Sequence, residues 1–275
     1  MSMDIHSTPL GPIEVHTFGL EACDTAVVLL HAAASSPRAL SRLAERLATS
    51  GHRVIVPALQ GYGATRVAAI ADPIAANVEV ARFVCAQLAP RRVTLFGHSM
   101  GGLVALRTGA AAGTVANIVV YEPVAFGVLD PLTEPDASAL AWDRRVADTL
   151  IANVAAGERE AGVAAFVEAW NEVAWSAIPL ALRMGLVAGA DRLRDEVITV
   201  SRDTMQASAY AGLGSCLTLL RGTRSPVAAR LISERLLADI PGSRIEDIAD
   251  AGHMGPVLRP DAIASAIDRR IRGTQ

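Results

Sequence analysis

A serine flanked by glycines interrupts an apolar run near the middle of the chain, at positions 95–104, which read LFGHSMGGLV. The segment Gly97-His98-Ser99-Met100-Gly101 fits the pattern G-x-S-x-G, in which a strand turns into a helix within one residue. The glycines avoid a collision with neighbouring backbone, and the serine hydroxyl is presented at the edge of a sheet. Such a hydroxyl attacks a carbonyl carbon when a base accepts its proton. Ser99 is therefore the candidate nucleophile, and the N–H of Met100 is a candidate oxyanion donor.

Short apolar runs alternate with longer amphipathic segments along most of the chain. The runs are rich in Val, Ile and Leu, which is typical of strands covered on both faces in a parallel sheet. The predicted strands are 13–18, 26–31, 52–59, 92–97, 116–122, 216–222 and 243–249. The alternation predicts an α/β fold with an open, doubly wound, mostly parallel central sheet. Ser99 follows one of these strands.

The alternation of strand and helix is interrupted between residues 126 and 209. This segment has helical patterns throughout and contains all three tryptophans of the chain. We expect an α/β core formed by 1–125 and 210–275, with a helical cap or lid at 126–209. The aromatic side chains either seal the cap against the sheet or line a substrate pocket. The pocket candidates are Phe126, Trp142, Phe166, Trp170 and Trp175.

The composition argues against several classes of partner and cofactor. A net charge of −3 provides no basic field for nucleic acid or an anionic membrane surface. All 25 basic residues are Arg, so a Lys for a pyridoxal Schiff base or a P-loop is missing. The three cysteines are far apart without CxxC spacing, which argues against a disulfide framework or a zinc site. Neither an export signal nor a run of roughly 20 apolar residues is found, so we expect a cytoplasmic protein. The expected partner is a small-molecule substrate, and neither nucleic acid nor a membrane is expected to bind.

Four segments resemble the α/β-hydrolase fold family: VVLLHAAASS, VPALQGYGAT, VTLFGHSMGGLVAL and DAGHMGPVLRPDAI. They occur in the family's order, and the resemblance spans nearly the whole chain, with an interruption where that family carries its lid. It implies that the cap follows the sixth strand of the family's sheet, here the run 116–122. It also implies catalysis by a serine, a histidine and an acid, with no metal and no organic cofactor.

The resemblance indicates the base and the second oxyanion donor. His253, in AGHMGP after the last predicted strand, stands where the family places its catalytic histidine. The family's His-Gly-x loop reads His31-Ala32-Ala33 here, so Ala33 is the expected donor beside Met100. Alanine at position 32 departs from the usual glycine and narrows the backbone conformations open to this loop.

The acid departs from the family pattern. Most relatives carry an Asp in a G-x-x-D turn, whereas this chain has Gly222-Thr223-Arg224-Ser225, and a serine cannot hold a negative charge beside an imidazolium. The predicted substitute is Glu122, at the end of the run 116–122, because haloalkane dehalogenases of this fold include branches with a Glu there. Asp247 and Asp250, just before His253, are weaker candidates for the acid. Two further alternatives stay open: Glu122 has only a capping role before Pro123, or the site works without an acid or is inactive.

These residues predict acyl transfer to water through an acyl-enzyme on Ser99. The apolar cap favours a small or medium apolar substrate, and the predicted function is that of a carboxylesterase-like serine hydrolase. The alternatives are a carbon–carbon bond hydrolase, a cofactor-independent oxygenase or lyase on the same scaffold, and a catalytically silent ligand-binding protein. A Rossmann nucleotide-binding domain is disfavoured because GHSMGG lacks the G-x-G-x-x-G spacing.

Overall fold

The computed structural model describes residues 1–20, 23–67, 70–89, 92–111, 115–171 and 173–273, which form a sheet with helices on both faces. The strands are β1 (Ser2–Thr8), β2 (Gly11–Phe18), β3 (Thr25–Leu30), β4 (Arg53–Pro57), β5 (Arg92–His98), β6 (Val115–Tyr121), β7 (Leu217–Gly222) and β8 (Arg244–Ile248). The helices are α1 (Ser41–Thr49), α2 (Pro73–Phe83), α3 (Met100–Ala111), α4 (Asp136–Ala155), α5 (Arg159–Asn171), α6 (Leu180–Ala188), α7 (Ala190–Ser201), α8 (Val227–Asp239), α9 (Gly255–Leu258) and α10 (Pro260–Arg272). In the described ranges, no helix is long and apolar enough to cross a lipid bilayer.

The strands lie in the order β1-β2-β4-β3-β5-β6-β7-β8. All strands from β3 to β8 run parallel, whereas β1 and β2 are antiparallel to their neighbours. The carboxyl ends of the parallel strands therefore meet at one edge of the sheet, where ligands bind in open α/β folds. The predicted mostly parallel sheet is confirmed.

Helices cover both faces of the sheet. Leu29 and Leu30 of β3 point to opposite faces, because successive side chains of a strand alternate. Leu29 belongs to the core shared with Leu47 of α1, and Leu30 to the core shared with Leu103 of α3. The helix α10 joins the first layer, and α2 and α8 join the second. This arrangement explains why the inner strands are continuous apolar runs rather than alternating ones.

The chain between β6 and β7 forms a helical insertion, the name used below for residues 126–216. It contains α4, α5, α6 and α7, with 3₁₀ turns at Phe126–Val128, Trp175–Ala177 and Ala207–Cys216. Leu150, Val163 and Leu193 are buried in a small apolar core of its own. The predicted insertion after the sixth strand is confirmed.

The N-terminal strand β1 is missing from the strands predicted from the sequence. It pairs antiparallel with β2 at the edge of the sheet, and the turn between them runs from Thr8 to Gly11. Most of its side chains are exposed, so no apolar run marks it. Gly11 has a φ of 122°, a backbone conformation open to glycine and rarely to other residues.

Candidate active site

Ser99 is the single residue between β5, which ends at His98, and α3, which begins at Met100. Its φ of 55° lies in the left-handed region, which costs a non-glycine residue on the order of 1–3 kcal/mol and recurs at functional positions. Two hydrogen bonds hold this conformation. The backbone N–H of Ser99 donates to the carbonyl oxygen of Tyr121 at 3.0 Å, and the N–H of Gly102 donates to the carbonyl oxygen of Ser99 at 2.9 Å. The side chain therefore projects from a fixed bend at the carboxyl edge of the sheet.

The glycines on either side of Ser99 are required by close backbone contacts. A Cβ atom at Gly97 would lie 2.1 Å from the carbonyl oxygen of Gly101. A Cβ atom at Gly101 would lie 2.4 Å from the carbonyl oxygen of Leu30 in β3. Neither position accepts a side chain unless the backbone moves, which explains the spacing of the motif.

His253 lies in the loop between β8 and α9, and its imidazole contacts Glu122. The Nδ1 atom of His253 lies 2.8 Å from Oε2 of Glu122. His253 is 5% exposed, Glu122 is fully buried, and the two side chains form an ion pair when the histidine is protonated. A carboxylate in this place orients an imidazole and stabilises its protonated form. The catalytic roles of both residues stay predictions, and the contact between them is what those roles require.

The carboxylate of Glu122 is held by three donors. Its Oε1 atom accepts a hydrogen bond from the N–H of Gly222 at 2.7 Å and another from the hydroxyl of Ser225, while Oε2 faces His253. Ser225, which stands at the family's usual acid position, thus binds the carboxylate of the predicted substitute, Glu122. Glu122 itself has a φ of 47°, so its backbone is also strained. Its sequence neighbours give no sign of this partnership, because Ser225 is 103 residues away.

Two further side chains fix the loop that carries His253. The Nε2–H of His98 donates to the carbonyl oxygen of His253 at 2.8 Å, and the hydroxyl of Tyr121 donates to the oxygen of Gly252 at 2.7 Å. Burial lowers the pKa of His98 well below its usual value, so this imidazole is neutral. His98 therefore holds the backbone of His253 in place, and its lowered pKa makes it a weak base.

A cavity of about 500 Å³ opens at the carboxyl edge of the sheet and extends under the helical insertion. Ser99 and His253 line it together with the predicted oxyanion donors Ala33 and Met100. Met100 is the first residue of α3, so its N–H has no acceptor within the helix and is available to a ligand. The cavity thus brings together four of the predicted site residues, with Glu122 directly behind His253.

Three of the five predicted pocket aromatics line this cavity: Phe126, Phe166 and Trp170. The ring of Trp170 lies 4.6 Å from that of His253, measured between ring centroids. The predicted pocket role of Trp142 and Trp175 is wrong, since neither side chain lines the cavity. Trp142 packs edge-on behind Trp170, with 5.1 Å between the centroids, and Trp175 is buried in the core of the helical insertion. Helical periodicity identifies a buried face but not the neighbour that covers it, so this difference has no local signal.

Two buried carboxyl groups of the helical insertion also line the cavity, and neither is predicted from the sequence. Asp143 of α4 accepts a hydrogen bond from the hydroxyl of Ser201 at 2.9 Å, and burial raises its pKa to about 6. Glu196 of α7 accepts one from the hydroxyl of Tyr62 at 2.8 Å, and burial raises its pKa to about 8. The sequence does indicate that Glu196 is buried, because it falls on the same helix face as the apolar Val200 four residues later, which is also buried.

The raised pKa of Glu196 makes a stability prediction for Glu196→Gln. Between its ordinary value of 4.5 and about 8, the folded protein keeps a proton on Glu196 that the unfolded chain releases. The wild-type protein therefore loses stability as pH rises through this window, and glutamine does not titrate. We expect the Tm of the variant, relative to wild type, to rise by roughly 5 °C or more between pH 5 and pH 9. Thermal unfolding followed by circular dichroism measures the difference, and an equal difference at both pH values would contradict the prediction.

The side chains around Ser99 are of the types that perform acid–base and nucleophilic chemistry. Among the residues that the structure describes, no group of three or more His, Cys, Asp and Glu side chains is arranged to hold a metal ion. Acyl transfer through a serine needs groups of the kinds found here, namely a serine on a strained bend, an imidazole with a carboxylate behind it and an N–H group at a helix start.

The sequence profile of the alpha/beta hydrolase family matches residues 27–266. The chain belongs to this family. The match covers both the loop of Ala33 and the loop of His253, as well as the helical insertion between β6 and β7. A search of curated protein sequences gives no match.

Solved structures with the same alpha/beta hydrolase fold carry several different names. A thermophilic esterase from Thermogutta terrifontis is 21% identical, with a TM-score of 0.71 over 100% of this chain and 99% of that chain. A bromoperoxidase from Bacillus anthracis is 17% identical, with a TM-score of 0.75 over 98% and 100% of the two chains. The epoxide hydrolase CorEH is 14% identical, with a TM-score of 0.76 over 100% and 99%. At these identities the likeness shows the fold alone.

Proposed function

We propose that this alpha/beta hydrolase is a carboxylesterase-like serine hydrolase that cleaves small or medium apolar esters through an acyl-enzyme on Ser99. The observation that carries the proposal is the chain of groups at one end of the cavity. Ser99 projects from a strained bend, His253 lines the same cavity, and the Nδ1 atom of His253 lies 2.8 Å from Glu122. The esterase from Thermogutta terrifontis is an example of a protein of this fold that is named for ester cleavage.

In the first half of the reaction, the oxygen of Ser99 attacks the ester carbonyl while His253 takes the hydroxyl proton. Because Nδ1 of His253 is bound to Glu122, Nε2 is the nitrogen that accepts this proton. The carbonyl oxygen becomes an oxyanion, to which the N–H groups of Ala33 and Met100 donate. His253 then returns the proton to the departing alkoxide, which leaves as an alcohol.

In the second half, a water molecule attacks the acyl-enzyme while His253 accepts one of its protons. The carboxylic acid leaves, the proton returns to Ser99, and the enzyme is restored. Throughout both halves Glu122 keeps the imidazole in place and offsets its positive charge. The three donors on Glu122 hold it in this role.

The walls of the cavity support an apolar substrate. Phe126, Phe166, Trp170, Leu186 and Val197 contribute aromatic and aliphatic surface around Ser99. The charged or ionisable exceptions in the lining are Asp143, Glu196 and Arg192. Burial keeps Glu196 neutral at neutral pH, and the guanidinium of Arg192 is bound to the carbonyl oxygen of Gly61 and lies over the ring of Tyr62. An uncharged acyl chain therefore fits this chamber better than an anionic one.

A panel of p-nitrophenyl esters of increasing acyl length tests the proposal. Burial of each added methylene stabilises the bound acyl chain by about 0.8 kcal/mol, so we expect kcat/KM to rise up to about fourfold per methylene. The rise should stop once the chain fills the cavity of about 500 Å³, and longer esters should be cleaved more slowly. Release of p-nitrophenol, followed by absorbance, gives both kinetic constants.

Two results would count against an esterase. One is the absence of turnover with every ester of the panel. The other is oxygen consumption by the protein without ester hydrolysis, which would indicate the oxygenase alternative. A matched panel of p-nitrophenyl esters with a terminal carboxylate is the control, and it should be cleaved more slowly at each length because the chamber is apolar.

A further inference from the structure

The loop between β3 and α1 carries Ala33, and the residue after it is strained. Ala34 has a φ of 50°, in the left-handed region that alanine rarely adopts. Its N–H donates a hydrogen bond to the hydroxyl of Tyr62 at 2.8 Å. This hydrogen bond offsets part of the backbone strain at Ala34. Since Ala34 follows Ala33 directly, the bond acts on the residue next to the predicted oxyanion donor.

The other side of Ala33 is held by His31. Because the N–H of Leu59 donates to its Nε2 atom at 3.1 Å, the ring proton lies on Nδ1, which donates to the oxygen of Ala32 at 2.8 Å. Burial lowers the pKa of His31 to about 4, so the imidazole is neutral and keeps both bonds at neutral pH. Ala33 is thus enclosed between two side-chain hydrogen bonds to its neighbours.

The hydroxyl of Tyr62 makes two hydrogen bonds. It accepts one from Ala34 and donates one to Oε2 of Glu196 at 2.8 Å, which links the loop to α7 of the helical insertion. The guanidinium of Arg192, also on α7, lies 3.8 Å from the centroid of the Tyr62 ring and donates to the oxygen of Gly61 at 2.9 Å. Tyr62 itself is buried and lies outside the cavity lining, so it acts on a substrate only through its neighbours.

We propose that Tyr62 is a positioning residue for the oxyanion site, and that its hydroxyl, oriented by Glu196, holds the Ala33–Ala34 segment in the shape that directs the Ala33 N–H at the substrate. This inference rests on the serine hydrolase function proposed above. It also gives the helical insertion a second task besides forming the cavity wall. If α7 moved away from the core, the Glu196 bond would break and the oxyanion loop would lose its support.

The variant Tyr62→Phe isolates the hydroxyl, because phenylalanine keeps the ring contacts with His31 and Arg192. We expect kcat to fall about 10- to 30-fold with KM nearly unchanged, since a misplaced oxyanion donor weakens the transition state more than substrate binding. Tyr210→Phe is the matched control. It also removes a buried tyrosine hydroxyl, but Tyr210 belongs to the apolar core beside α3 and its hydroxyl is not bound to the loop of Ala33, so the variant should alter neither constant.

A trifluoromethyl ketone reports on the oxyanion itself. Ser99 adds to its carbonyl carbon, the serine proton passes to His253, and the ketone oxygen becomes the anion. We expect Tyr62→Phe to bind this ketone weaker by the same factor as its loss in kcat, after active sites are counted with a fluorophosphonate. Glu196→Gln keeps an acceptor for the Tyr62 hydroxyl, so it should lose less affinity than Glu196→Leu. Unchanged ketone affinity in Tyr62→Phe would overturn the proposal.

Hydrogen exchange keeps the test independent of ester cleavage. Peptides that cover residues 31–36 should exchange faster in Tyr62→Phe than in wild type and Tyr210→Phe, while peptides from β5 should not change. Equal exchange in all three proteins would reject the positioning role even if the substrate were not an ester. A third result separates the two proposals. If Tyr62→Phe exchanges faster but the wild-type protein neither cleaves esters nor binds the ketone, the serine hydrolase function is rejected while the contact between Tyr62 and the loop is kept.

Discussion

Ser99→Ala is expected to abolish ester hydrolysis, with a loss in kcat of about 10⁵-fold or more. The variant lacks the atom that forms the acyl-enzyme, and His253 and the oxyanion donors alone provide only residual catalysis. Folding should be unaffected, because alanine at a φ of 55° meets the same backbone strain as serine. Initial rates with a p-nitrophenyl ester and the Tm measured on the same preparations give both quantities.

The same variant tests whether Ser99 is the reactive serine. A fluorophosphonate should label the wild-type protein once, at Ser99, and should leave Ser99→Ala unlabelled. Ser233→Ala is a matched control, since Ser233 is buried in α8 and its hydroxyl binds the oxygen of Ala229. That variant should keep both labelling and turnover. If Ser99→Ala were labelled at another residue and kept full activity, that residue and not Ser99 would be the nucleophile.

Most of the sheet could be predicted because buried parallel strands leave a strong signal. β3 and β6 are apolar over several consecutive residues, since helices cover both faces of the sheet. The bend at Ser99 could be predicted for a different reason, because the contacts at Gly97 and Gly101 exclude any side chain. β1 could not be predicted, since an exposed edge strand needs no apolar run.

The side chains behind the site left little local signal in the sequence. The hydroxyl of Ser225 binds a carboxylate 103 residues away, and that of Tyr62 binds one 134 residues away. Such pairs are created by the topology of the sheet and the insertion, not by spacing along the chain. Glu122 could be proposed from its place at a strand end, but the bonds from Gly222 and Ser225 that hold its carboxylate could not.

Glu122→Gln is expected to lower kcat by about 10³- to 10⁴-fold while the protein stays folded, which kinetics with a p-nitrophenyl ester will measure. The reason lies in the two donors on Oε1. Because Gly222 and Ser225 both donate there, the glutamine must place its carbonyl oxygen at that position and turn its NH₂ group toward His253. The Nδ1 atom of His253 then has to accept a hydrogen bond, so the ring proton moves to Nε2.

A proton on Nε2 of His253 leaves no lone pair for the Ser99 hydroxyl, so Glu122→Gln should fail at proton transfer and not at substrate binding. KM should therefore change little, and the labelling rate with a fluorophosphonate should fall in parallel with kcat. Ser225→Ala is the matched control, because it removes one donor from the carboxylate but keeps its charge, and about a 10-fold loss or less is expected. If Glu122→Gln turned over esters at a near-normal rate, the contact of 2.8 Å between Glu122 and His253 would be structural, and another group would have to stabilise the imidazolium.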